Sequence, residues 1–109
     1  MTVHEIKESL GWKAFHIADP DRQVRGGYAG DLLSWVMGRA GQGCAWLTIM
    51  SNQNVAAVAL MADVACVVLT EGVEPDADLL RRAKEKEVTL LGTGEDTYTA
   101  ACRLHDCLE

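Results

Sequence analysis

The chain has 109 residues, 49% of them hydrophobic, with a formal net charge of −6. That length allows one domain, residues 1–109, with a substantial core. The acidic balance argues against nucleic acid, whose recognition needs Lys and Arg to neutralise phosphates, and here Arg22, Arg25, Arg39, Arg81, Arg82 and Lys84 are scattered among acids.

Thr2 and Glu5 have the spacing of a capping box. Ile6 and Leu10 follow on one helix face, and Gly11 ends the helix. Residues 2–10 lack the apolar stretch of a signal peptide. Residues 12–18 suit a strand, which Asp19-Pro20-Asp21 breaks. A second short strand is expected over 23–28, the two together adding an edge to the sheet. Gly26, Gly27 and Gly30 then form a tight turn into a helix over 31–40, with Asp31 as its N-cap.

Residues 45–50 make a near-continuous apolar strand of the kind buried on both faces. Polar residues 51–54 lead into a helix over 55–62, the longest wholly apolar run and far too short to span a membrane. A second buried strand covers 65–69. Thr70-Glu71-Gly72 precedes a helix over 75–86, with Pro75 in its first turn. A short strand over 88–91 and a capping-box pattern at residues 93–96 introduce a last helix ending near Leu108. Alternating strands and helices imply an α/β fold: three layers, a mostly parallel sheet of about five strands, helices on both faces.

The stretch Val24-Arg25-Gly26-Gly27-Tyr28-Ala29-Gly30-Asp31-Leu32-Leu33-Ser34 resembles the DRTGG-domain family. So do Trp46 to Ile49, Asn54, residues 62–65 and Glu71-Gly72. The family's naming pentapeptide is interrupted: Gln23-Val24-Arg25 separates Asp21-Arg22 from Gly26-Gly27. The resemblance implies the fold of the HPr kinase N-terminal region, shared with phosphotransacetylase middle domains and some CBS-containing pyrophosphatases. It also implies a regulatory or dimerising part and not a catalytic one, with no kinase or acyltransferase module. Stand-alone members found beside iron-hydrogenase and NADH-linked electron-transfer genes suggest a partner subunit of that kind.

The residues themselves offer several candidate sites. In open parallel sheets, ligands bind beyond the carboxyl ends of the strands, near a reversal of strand order. Ser51, Asn52, Asn54, Glu71, Gly72, Gly92 and Thr93 should share that edge and could hold a small anion, although Asn52 or Asn54 can equally cap the next helix. The glycine turn is read as structural, because Asp31 would repel a phosphate and no Gly-x-x-x-x-Gly-Lys-Ser/Thr occurs. Asp63 and Glu71 form a carboxylate pair only if the fold joins them.

Cys44, Cys66, Cys102 and Cys107 lie in apolar segments, too sparse for a disulfide scaffold and without the close spacing of cluster ligands. They are read as buried reduced thiols in a cytoplasmic protein. His4, His16 and His105 form no ligand set. No catalytic residue, metal, cofactor, nucleic acid or membrane is expected.

The expectation is a non-catalytic regulatory or interaction domain, associated with a hydrogenase or electron-transfer system. The alternative is a sensor of an adenine nucleotide or other anion; an iron–sulfur protein or small enzyme is a third reading. A homodimer is expected because residues 55–62 are apolar on every face and need an outer cover. On that reading Ala59→Glu would dissociate it.

Overall fold

Two strands, β3 (Ala45–Thr48) and β4 (Cys66–Leu69), are buried at every position, as their apolar runs predict. The structure, a computed structural model, describes residues 1–109. In chain order the other elements are α1 (Val3–Leu10), β1 (Lys13–His16), β2 (Gly27–Ala29), α2 (Leu33–Arg39), α3 (Asn54–Ala62), α4 (Ala77–Lys86), β5 (Leu90–Gly92) and α5 (Thr97–Leu108).

The five strands lie in the order β1-β5-β4-β3-β2. Strands β2 to β5 are mutually parallel, and β1 runs antiparallel to β5. Each parallel step returns through a helix, and right-handed crossovers put all three of those helices on one face. There Val36, Val55, Ala59, Leu79 and Ala83 pack on Trp46, Val67, Leu69 and Leu90. The opposite face is closed by the terminal helices: Val3, Ile6, Leu10, Ala100 and Leu104 pack on Ala45, Leu47, Cys66, Val68 and Leu91. The expected three-layer α/β fold is therefore present.

Local expectations fare unevenly. Thr2 and Glu5 do form the reciprocal capping box, and Gly11 closes α1. The two N-terminal strands, expected together, occupy opposite edges. Residues 23–26 are outside β2, and Gln23 makes only an isolated bridge to Thr2. Pro75 precedes α4 and its N-cap, Asp76, so it is not in the first turn. The N-cap of α5 is Asp96, which accepts from Thr99 N, so the pattern at residues 93–96 is not a capping box.

Helix α3 also departs from expectation. It lies between α2 and α4, which cover its flanks. Ala59 is 2% exposed and belongs to the monomer's core, so a charge there would damage folding, not a dimer contact. Of its apolar residues only Ala57, Leu60 and Met61 face outward, Met61 at 70% exposure. Ala59→Glu should lower stability by about 3 kcal/mol or more through a buried unpaired carboxylate. Met61→Glu should stay within ~0.5 kcal/mol of wild type, as exposed substitutions do. Urea unfolding measures both.

Candidate functional site

The loops after β3, β4 and β5 meet at one edge of the sheet, as the parallel order requires. Backbone bonds tie them together: Asp76 N donates to Ser51 O at 3.0 Å, Gly72 N to Thr93 O at 3.0 Å, and Glu71 N to Glu95 O at 2.8 Å. Side chains add to this. Ser51 Oγ donates to Asp76 Oδ1 at 3.3 Å, and Glu71 Oε2 accepts from Thr97 N at 2.9 Å. The hydroxyls of Thr70 and Thr97 lie 2.6 Å apart. Glu71, Gly72 and Thr93 thus join one network, in which Glu71 binds a free amide at the start of α5, while Ser51 is bonded separately to Asp76.

The remaining predicted residues are placed differently. Asn52 Oδ1 accepts from Asn54 N at 2.9 Å, the local turn bond that competes with a ligand role. Asn54 lines a cleft of about 330 Å³ between α3 and α4, with Leu60, Met61, Arg82 and Lys86. Gly92 is covered by the Phe15 ring, and a side chain there would collide with it. The parallel strands follow one another without reversal, so the expected crevice at a change of strand order is not formed.

Glu95, which the sequence offered only as part of a cap, holds the network to the first helix–strand unit. Its carboxylate accepts from Trp12 Nε1 at 2.9 Å and from the Thr93 hydroxyl at 3.2 Å, and pairs with Arg103. Burial alone would push this carboxyl up, but the bonds from Trp12, Arg103 and Thr93 outweigh it and hold it below its ordinary value.

Asp31 does not cap α2, whose N-cap is Leu32. Its Oδ1 instead accepts from Thr48 Oγ1 at 2.8 Å and Ile49 N at 3.0 Å, bracing the end of β3. The glycine stretch is a packing device. A Cβ at Gly27 would come within 2.9 Å of Leu104 Cδ2, so glycine lets α5 lie close on β2. Gly26 turns at φ 132°, and the Gly30 carbonyl accepts from Trp46 Nε1 at 2.9 Å.

At the opposite end of the sheet Arg22 Nη1 donates to Asp63 Oδ1 at 2.9 Å, and Gln42 Nε2 to Asp63 Oδ2 at 2.7 Å. The bond from Arg22, then that from Gln42, holds the Asp63 carboxyl below its usual value. Asp63 and Glu71 follow opposite ends of the central layer and form no pair. Cys44 and Cys66 are buried, while Cys102 is exposed and Cys107 half-buried on α5, so the reading of four buried thiols holds for two. Burial pushes the Cys66 thiol up to about 12. Two further cavities remain: a mostly apolar groove of about 490 Å³ between β2 and α5, and one of about 390 Å³ beside Arg25 that no hydrophobic residue lines.

A three-layer α/β domain with its strand-end loops laced together is the class this geometry defines. The sequence profile of the DRTGG domain matches residues 33–107, and the chain belongs to that family. The matched region begins beyond Gly26, Gly27 and Gly30, so the match to this chain is carried by the residues that follow the glycine stretch. Among solved structures, the chain is similar to the CBS and DRTGG domains of the regulatory region of Clostridium perfringens pyrophosphatase, complexed with the activator diadenosine tetraphosphate. The TM-score is 0.69 at 17% identity, over 91% of this chain and 44% of that one. The likeness establishes a shared fold, and this chain spans less than half of that structure's length. No curated protein matches by sequence. No helix is long and apolar enough to cross a membrane.

Because Glu95 has a lowered carboxyl pKa, its stabilising contribution is present above the ordinary range near ~4 and is lost as pH falls through the folded value. Glu95→Gln should therefore cost about 1–2 kcal/mol at pH 7. The gap between variant and wild type should close toward pH 3. Unfolding midpoints across that range check the sign.

Proposed function

We propose that this DRTGG domain is a non-catalytic regulatory or interaction module of the cytoplasm, working as a homodimer through the open β2 edge. The observation that carries this reading is the contrast between the two edges of the sheet. At one edge, β1 is blunted by Lys13, which reaches Glu74 at 3.6 Å, and by an irregularity between Ala14 and His16. Charges and bulges are the usual protection of an exposed strand. At the other edge, β2 is Gly27-Tyr28-Ala29, with neither charge nor bulge.

Ala45 N donates to Gly26 O, and Gly30 N donates to Leu47 O. Residues 26, 28 and 30 therefore turn their main chain toward β3, and by alternation Gly27 and Ala29 turn theirs outward. Exposed apolar side chains flank this edge: Tyr98 beside the α5 groove, and Leu32 and Trp35 on the α2 side. A twofold partner offering the same strand satisfies both the open main chain and the apolar flanks. The family resemblance adds an iron-hydrogenase or NADH-linked electron-transfer subunit as the system this module serves.

A second reading, a nucleotide or anion sensor, is supported by the diadenosine tetraphosphate held by the similar regulatory region. On this reading the ligand engages Ser51, Glu71 and Thr93, exchanging the bonds that Glu71 makes to Thr97 for its own.

Light scattering at micromolar concentration should give a dimer mass. Ala29→Pro, which removes an outward N–H without touching the ladder to β3, should give a monomer with unchanged helix content; a monomeric wild type sinks the dimer. For the sensor, diadenosine tetraphosphate should raise the melting midpoint of wild type, and by no less in Glu71→Gln, which removes the carboxylate that competes with a phosphate for Thr97 N. A flat response in wild type removes that reading.

A further inference from the structure

We propose that the polar cavity lined by Arg22, Gln23, Arg25, Gln42 and Gly43 is a binding site for a phosphate-type oxyanion, at the end of the sheet opposite the strand-end network. The cavity measures about 390 Å³ and contains no hydrophobic residue. Two of the chain's six arginines converge on it, in a protein whose net charge is −6. No acidic side chain lines it.

Its two arginines are held in different ways. Arg22 is anchored from behind by Asp63, with Nη1 on the carboxylate at 2.9 Å and Nη2 on the Asp63 carbonyl at 2.8 Å. A guanidinium carries five N–H donors, so this anchoring fixes the fork and leaves donors over. Gln42 is anchored on the same carboxylate through one N–H of its amide, leaving the second free.

Arg25 is the opposite case. Its stem is seated against Gly43, where a Cβ would lie 3.2 Å from Arg25 Cδ and 3.4 Å from Cγ. Gly43 also has φ +78°, a conformation that glycine adopts without strain. The Arg25 guanidinium takes part in none of the side-chain hydrogen bonds, ion pairs or aromatic contacts that engage Arg22, Arg39, Arg81 and Arg103. A seated but unpaired guanidinium beside an anchored one is the arrangement that receives a phosphate through paired N–H donors.

The lining also limits the ligand. No aromatic or aliphatic side chain lines it, so we assign it the phosphate portion alone. Inorganic phosphate, pyrophosphate and the phosphate tail of a nucleotide share that chemistry. The dimer edge and the strand-end residues are elsewhere, so failure here leaves those readings standing, and their failure leaves this one.

The test is an amide chemical-shift titration of the full chain with inorganic pyrophosphate at low salt, with inorganic phosphate, ADP and adenosine as parallel arms. Pyrophosphate should give saturable shifts centred on Gln23, Arg25, Gln42 and Gly43. Adenosine should give none, and ADP should bind within threefold of pyrophosphate. Arg25→Gln should weaken binding at least about tenfold, with the melting midpoint in the absence of ligand unchanged, because the Arg25 guanidinium bonds to nothing in the fold. Shifts that do not saturate, shifts centred on Ser51, Glu71 and Thr93, or an Arg25→Gln variant that binds as wild type overturn the assignment. ADP binding more than about tenfold tighter than pyrophosphate also overturns it, since that requires a base-binding surface the cavity lacks.

Discussion

The structure depends on one constraint: β3 and β4 are apolar on both faces and must be covered on both. The three crossover helices, all thrown to the same side by chain handedness, cover only one of them. The other face therefore falls to the helices at the two ends of the chain, α1 and α5. Residues more than 90 apart in sequence, Val3 and Ile6 with Ala100 and Leu104, must meet before that face is closed. The bond from Trp12 to Glu95, across a separation of 83 residues, fastens the same seam.

That seam explains the character of the strand-end edge. In many α/β proteins this edge is where polar loop groups stay free for a ligand. Here Glu71 and Asp96 supply the bonds that start α5, and Glu95 ties α5 to the junction of α1 and β1 through Arg103 and Trp12. The polar residues of this edge are thus engaged in holding the terminal helix on the sheet. Free hydrogen-bonding capacity lies elsewhere, in the outward main chain of β2 and around Arg25.

The two sheet edges differ for a reason rooted in the same topology. Strand β1 joins antiparallel beside β5 and has a charged, irregular outer side. Strand β2 joins parallel beside β3, and Gly27 keeps it small so that Leu104 of α5 can reach over it. The packing that closes the second core face leaves β2 short, uncharged and open.

The sequence by itself determined what depends on period and local chemistry. The apolar runs at 45–50, interrupted only by Thr48, and at 65–69 marked the central strands, the strand–helix alternation fixed the parallel three-layer class, and Thr2 with Glu5 marked a true helix start. It also placed Ser51, Glu71, Gly72 and Thr93 on one edge, because parallel order alone requires that. Tertiary structure decided the rest. Asp31 has the spacing of a cap, but Thr48 and Ile49, distant in sequence, bind its carboxylate first. Of the apolar residues 55–62, α2 and α4 flank all but the outward Ala57, Leu60 and Met61, a division invisible in a one-dimensional pattern. The opposite placement of β1 and β2, the role of Glu95 and the convergence of Arg22, Arg25 and Gln42 all arise from contacts between segments far apart in the chain. Local periodicity reports which face of an element is apolar; it is silent on which distant segment will cover that face.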